Sequence, residues 1–173
     1  MEADDDCCCP VVAPAMYDLV LFTESCVDEY KQNGNSGFDL RTFRDPHLPS
    51  GMYNTHTYAK VIRRSYCPNH TTGRAVAFYL YARSSTFLKT GCVLANGVGL
   101  IDKNYNDTLK AVFVQAAGAK RALDGLVSVQ IVAPDGQPFG SVRRMKTKDE
   151  WDAFVRRCSG ADRGGGFGST DKE

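Results

Sequence analysis

Six short apolar runs, each of five to eight residues, limit what this chain can fold into: 17–23, 57–64, 75–81, 98–102, 109–115 and 126–132. They are rich in Val, Leu, Phe and Tyr, the residues that fit a pleated surface, and they are too short for core helices. Turn-forming clusters separate them, among them Asn33-Gly34-Asn35-Ser36-Gly37, residues 46–51 and 68–73, and Pro134-Asp135-Gly136. This punctuation predicts an all-β domain: a sandwich, jelly roll or barrel. One helix interrupts the pattern near the C-terminus. Thr147-Lys148-Asp149-Glu150 forms a capping box, and Trp151, Phe154 and Val155 then share one face to about Arg157.

The 173 residues suit one domain over 16–158, flanked by segments of different composition. Residues 1–15 combine an acidic run, Cys7-Cys8-Cys9 and two prolines without periodicity, and read as a disordered leader. Residues 159–173 hold five of the chain's 16 glycines and cannot pack a core, so they read as a flexible arm. With 21 Lys+Arg against 20 Asp+Glu the net charge is +1, and no global field recruits nucleic acid or an anionic membrane. The basic cluster Arg143, Arg144, Lys146 and Lys148 reads as a solvated surface. No stretch approaches the roughly 20 apolar residues of a membrane span.

The acidic start is unlike a signal peptide, and the seven cysteines are odd in number with three contiguous. An intracellular protein, cytoplasmic or nuclear, is expected. Cys67-Pro68-Asn69-His70 supplies only half a tetrahedral metal site and reads as a turn. The acceptor patterns at Asn69 and Asn106 would not meet the glycosylation machinery in that location.

Four segments carry more chemistry than folding requires. Ser36-Gly37-Phe38-Asp39-Leu40 presents a carboxylate. Arg83-Ser84-Ser85 offers a guanidinium, two hydroxyls and backbone N–H groups, the donors an oligophosphate needs. Gly99-Leu100-Ile101-Asp102-Lys103-Asn104-Tyr105 sets a carboxylate among apolar neighbours, where it could hold a water against a reacting centre. Gly166-Phe167-Gly168-Ser169-Thr170 places an aromatic ring and two hydroxyls on a flexible backbone.

In order and type these segments resemble the first, second, third and fifth motifs of the trimeric dUTPase family. The fourth motif, normally Gly-acid-Arg-x-x-Gln, is degraded: Gly125 and Gln130 keep its spacing, but Leu126 and Val127 fill the acid and arginine positions. Two further departures are Tyr105-Asn106-Asp107 for the usual Tyr-Arg-Gly, and Arg163 four residues before Phe167 rather than five. Residues 138–158 are also longer than the family's usual link.

The resemblance implies a jelly-roll-like β-barrel that hydrolyses dUTP to dUMP and pyrophosphate. Such a dUTP diphosphatase keeps uracil out of DNA and supplies dUMP for thymidylate synthesis. By it, Asp102 accepts the proton of a water attacking the α-phosphorus in line with the leaving pyrophosphate. Gly99 lets the backbone approach uracil, and Tyr105 packs under the deoxyribose and excludes UTP. Arg83, Ser84, Ser85 and Gln130 hold phosphates. Mg²⁺ is carried mainly by the triphosphate, with Asp39 reaching it through water. In the arm, Phe167 stacks on the base, while Arg163, Gly168, Ser169 and Thr170 complete the phosphate contacts. The expected partners are dUTP and two further copies in a homotrimer with shared sites, without nucleic acid or membrane.

Two other readings stay open. A dCTP deaminase shares fold and Arg-Ser-Ser, but needs a glutamate in a stretch that here reads Thr108-Leu109-Lys110-Ala111-Val112-Phe113. A non-catalytic relative binding a regulatory partner would not need Asp102, Tyr105, Arg83 and Phe167 together.

Overall fold

The first apolar run, β1 (Tyr17–Thr23), buries alternate residues on opposite sides: Leu19 and Leu21 enter one core layer, Val20 and Phe22 another. Its antiparallel partner β4 (Thr57–Arg63) does the same, with Ala59 and Val61 on one face and Tyr58 and Ile62 on the other. Both strands are covered on both faces, which is why Leu19 to Phe22 run apolar without alternation, as does β4 from Tyr58 to Ile62 except at Lys60. The computed structural model describes residues 16–24, 36–64, 73–116 and 122–158. The leader, the Cys67 to His70 turn and the glycine-rich arm lie outside the described residues.

The remaining strands are β2 (Gly37–Arg44), β3 (Met52–Asn54), β5 (Arg74–Val76), β6 (Phe78–Ala82), β7 (Cys92–Leu94), β8 (Val98–Ile101), β9 (Lys110–Gln115), β10 (Leu126–Val132) and β11 (Val142–Arg144). A four-stranded sheet runs β11-β1-β4-β5, with β11 parallel to β1. A seven-stranded antiparallel sheet runs β7-β9-β3-β2-β10-β6-β8. Its two end strands are joined by residues 95–97 alone, so the sheet curls into a nearly closed barrel. Each sheet ends in short strands: three residues in β11, β5 and β7, and four in β8. The main core, including Leu19, Phe38, Val61, Phe78 and Leu80, lies between the sheets. The expected all-β barrel architecture is the one observed.

Helix α2 (Lys148–Cys158) covers the outer face of the four-stranded sheet, burying Trp151 and Val155 against Val20, Phe22, Tyr58 and Ile62. Its start keeps the Thr147 half of the expected box, while the Glu150 carboxylate reaches one residue further back than the cap, to Lys146. The Glu150 N–H donates to Thr147 Oγ1 (3.1 Å), and Glu150 Oε2 accepts from the Lys146 N–H (2.8 Å). Neither of the two helices among the described residues is long and apolar enough to cross a membrane.

The expectation of one short helix is corrected by a second, α1 (Ser84–Thr90). Its apolar residues point outward, Phe87 51% and Leu88 73% exposed, while Thr86 and Thr90 are buried. The inward face is held by hydroxyls, Thr86 donating to Ser128 O (2.7 Å) and Thr90 to Thr86 O (2.7 Å). Such a helix shows no apolar stripe in its sequence. It ends at Gly91, whose φ of 73° closes the C-terminus with an N–H bond to Phe87 O (2.7 Å). The 75–81 run is likewise two strands, β5 and β6, which Ala77 divides between different sheets.

Candidate functional site

Two of the expected residues, far apart in sequence, meet on the β2–β10–β6 part of the barrel, and a third stands across the ladder from one of them. Asp39 on β2 faces Gln130 on β10 across the ladder, and Gln130 faces Tyr81 on β6. One residue beyond the end of β6, Arg83 takes the extended conformation that opens α1 and sends its Nε to Asp39 Oδ2 at 2.8 Å. Its Nη1 also donates to Val127 O (3.4 Å), and its backbone N–H to Ser128 O (2.9 Å). Arg83 is thereby locked to β10. Ser84 and Ser85 follow in the first turn of α1, which contains no acidic residue.

Gly37 explains part of this cluster. A Cβ there would lie 2.1 Å from Gln130 Oε1, so the glutamine side chain crosses the strand only because residue 37 has none. Burial pushes the Asp39 carboxyl above its ordinary value, and the Arg83 guanidinium offsets only part of that rise. The pair remains partly open to solvent.

The second cluster is the turn after β8. Gly99, buried on β8, faces Leu80 of β6, whose Cβ would be 3.3 Å from any Cβ at 99. Among the described residues the other edge of β8 belongs to no ladder, which leaves backbone donors and acceptors along it. Asp102 is exposed at the head of a turn closed by the Tyr105 N–H donating to Asp102 O (3.0 Å). Tyr105 packs on the main core and donates its hydroxyl to Thr108 O (2.9 Å). Burial, with a smaller contribution from Asp107, pushes the phenol well above its usual range and keeps it a donor. Asp107 is itself anchored on Lys110 Nζ (2.5 Å).

These two clusters do not meet within one chain. In the β6–β8 ladder Phe78 faces Ile101 and Tyr81 faces Val98, so Asp102 and Arg83 lie beyond opposite ends of β6. The four steps from Phe78 to Ala82 alone span about 13 Å at roughly 3.3 Å per residue. The expected arm residues Arg163, Phe167, Gly168, Ser169 and Thr170 lie outside the described residues.

Lys60 is a residue that sequence reading missed. It lies in the middle of β4, is 1% exposed, and donates to Lys103 O (2.6 Å) and Tyr105 O (2.7 Å) beneath the Asp102 turn. The signal was a lysine on the face that otherwise carries Tyr58 and Ile62, a break in apolar alternation. Arg41, whose Nη1 donates to Gly125 O (2.7 Å), was also passed over. No group of three or more His, Cys, Asp or Glu is arranged for a metal among the described residues. No protein-family model and no curated protein matches this chain.

Proposed function

We propose that the protein is an intracellular, Mg²⁺-dependent dUTP diphosphatase with the jelly-roll-like fold of the trimeric dUTPases. The observation that carries this reading is the ion pair between Arg83 and Asp39 with Gln130 directly across the ladder from Asp39, three residues each from a different motif of the resemblance. A hydrolase of this kind needs three things: charge and donors for a triphosphate, a base for the attacking water, and a pocket that reads uracil and deoxyribose.

Arg83, Ser84, Ser85 and Gln130 bind the phosphate oxygens. Asp39 orients Arg83 through its ion pair and has a further oxygen to accept from water around a cation. The donor set suits Mg²⁺, which prefers a few carboxylate and phosphate oxygens plus water over an all-protein cage; when bound it would neutralise triphosphate charge. At the second cluster, Asp102 takes the proton of the attacking water as the new O–P bond forms at the α-phosphorus and the bond to the departing pyrophosphate breaks. The free edge of β8 at Gly99 pairs with the base, and Tyr105 lies under the sugar.

Because Asp102 and Arg83 lie beyond opposite ends of β6, a complete site requires the turn of one copy and the Arg83 patch of another. This supports a homotrimer with shared sites, closed by the arm through Phe167 and its neighbours. The exposed apolar side chains Phe87, Leu88, Val93, Val98, Leu100 and Val114 supply surface for such contacts.

The test is pyrophosphate release from dUTP, dTTP, dCTP and UTP with and without Mg²⁺. Release from dUTP alone, dependent on the cation, is expected. Ammonia from dCTP, or no turnover, would reject the reading.

A further inference from the structure

Lysine is almost never fully buried unless its charge is met, because stripping water from an ammonium costs several kcal/mol. Lys60 is buried in the middle of β4, opposite Val20 of β1 and on the face that α2 covers. Its ammonium donates to the carbonyls of Lys103 and Tyr105, at 2.6 Å and 2.7 Å, which flank Asn104. Both distances are at the short end for such bonds, and donation from a cation makes them roughly twice as strong as neutral ones. The turn they hold starts at Asp102, whose carbonyl accepts the Tyr105 N–H. β4 belongs to the four-stranded sheet and β8 to the seven-stranded one, so Lys60 ties the turn to the opposite sheet.

We propose that Lys60 is a positioning residue: its buried ammonium clamps the 102–105 turn and so sets where the Asp102 carboxylate and the Tyr105 ring stand. That these two residues serve turnover and sugar selection rests on the function proposed above; the clamp itself does not. Without the ammonium the two carbonyls lose a charged donor, and the turn loses its tie to β4 and is free to reorganise. The turn would then move relative to the rest of a barrel that stays folded.

The decisive variant is Lys60→Met, which keeps the apolar stem and removes the charge. In the full-length protein, amide hydrogen exchange at 102–108 should quicken on the order of tenfold or more, while β1 and β10 stay protected. In the same variant the kcat for dUTP should fall at least about tenfold, and the preference for dUTP over UTP should shrink in step. A lysine that only fills space would lower the melting temperature without changing that preference. If Lys60→Met does not fold, the wild type decides: the Lys60 Nζ resonance should show through-hydrogen-bond couplings to the Lys103 and Tyr105 carbonyl carbons. Absent couplings, or unchanged local exchange in a folded variant, would overturn the clamp. Quickened exchange with unchanged kcat and unchanged preference would overturn positioning. A wild type inert toward dUTP would instead reject the proposed function and the catalytic half of this inference, leaving the clamp to be judged by exchange and couplings alone.

Discussion

Asp39 and Asp102 are the same side chain in opposite surroundings, one half-buried against Arg83 and the other exposed at a turn. The first is tied up in orienting the Arg83 guanidinium; the second is the proton acceptor of the proposed reaction. Asp102→Asn keeps size and hydrogen bonding but loses the proton acceptor. Turnover of dUTP should fall by about two to four orders of magnitude with nucleotide affinity retained, as read by pyrophosphate release and calorimetric titration. A third carboxylate contributes to acid stability. Burial raises Asp18, but its bonds from Arg64 and Ser141 outweigh burial and hold it below the ordinary value. A depressed carboxyl binds its proton less well folded than unfolded. Its stabilisation is therefore complete above the unfolded value of about 3.9 and is lost as pH falls through the folded one. Asp18→Asn should flatten the decline of melting temperature below about pH 4, and an unaltered slope would assign that decline elsewhere. At this scale the sequence made Asp39, Arg83 and Gln130 legible as types, but not the cross-strand geometry that joins them. Lys60 escaped because a buried lysine is recognised by what surrounds it, and those carbonyls lie more than forty positions away in sequence.

The two helices show what makes an element readable. In α2 the capping box and the apolar face coincide, so its boundaries are set locally. Trp151, 1% exposed, is its anchor, and Trp151→Ala should cost about 3–5 kcal/mol in denaturant unfolding. A loss below 1 kcal/mol would mean that α2 is not a structural part of the second core. α1 carries no such signature, because it is fixed by threonine hydroxyls reaching β10 while its leucine and phenylalanine face out. β3, β7 and β11 were illegible for a simpler reason: three residues hold too little alternation to count. Their pairing is imposed by the longer neighbours β2, β9 and β1.

At the scale of the molecule, the proposed function together with the separation of Arg83 from Asp102 predicts that activity requires assembly. Light scattering should give three times 19.0 kDa. Leu88→Asp, at a position 73% exposed in the single chain, should leave folding within about 0.5 kcal/mol yet dissociate the trimer and abolish turnover. An active monomer would defeat the shared-site arrangement. Deleting residues 162–173 should cut turnover while leaving both trimer and melting temperature nearly intact; unchanged hydrolysis would remove Arg163 and Phe167 from the site. The lengths of the outermost strands bear on a different hazard. Among the described residues the four sheet borders are three or four residues long, whereas the longest strands, β1, β2, β4 and β10, lie inside. A border that short gives a passing polypeptide too few unmet amides to seed a growing fibril, so a chain this rich in strands can remain dispersed at high concentration.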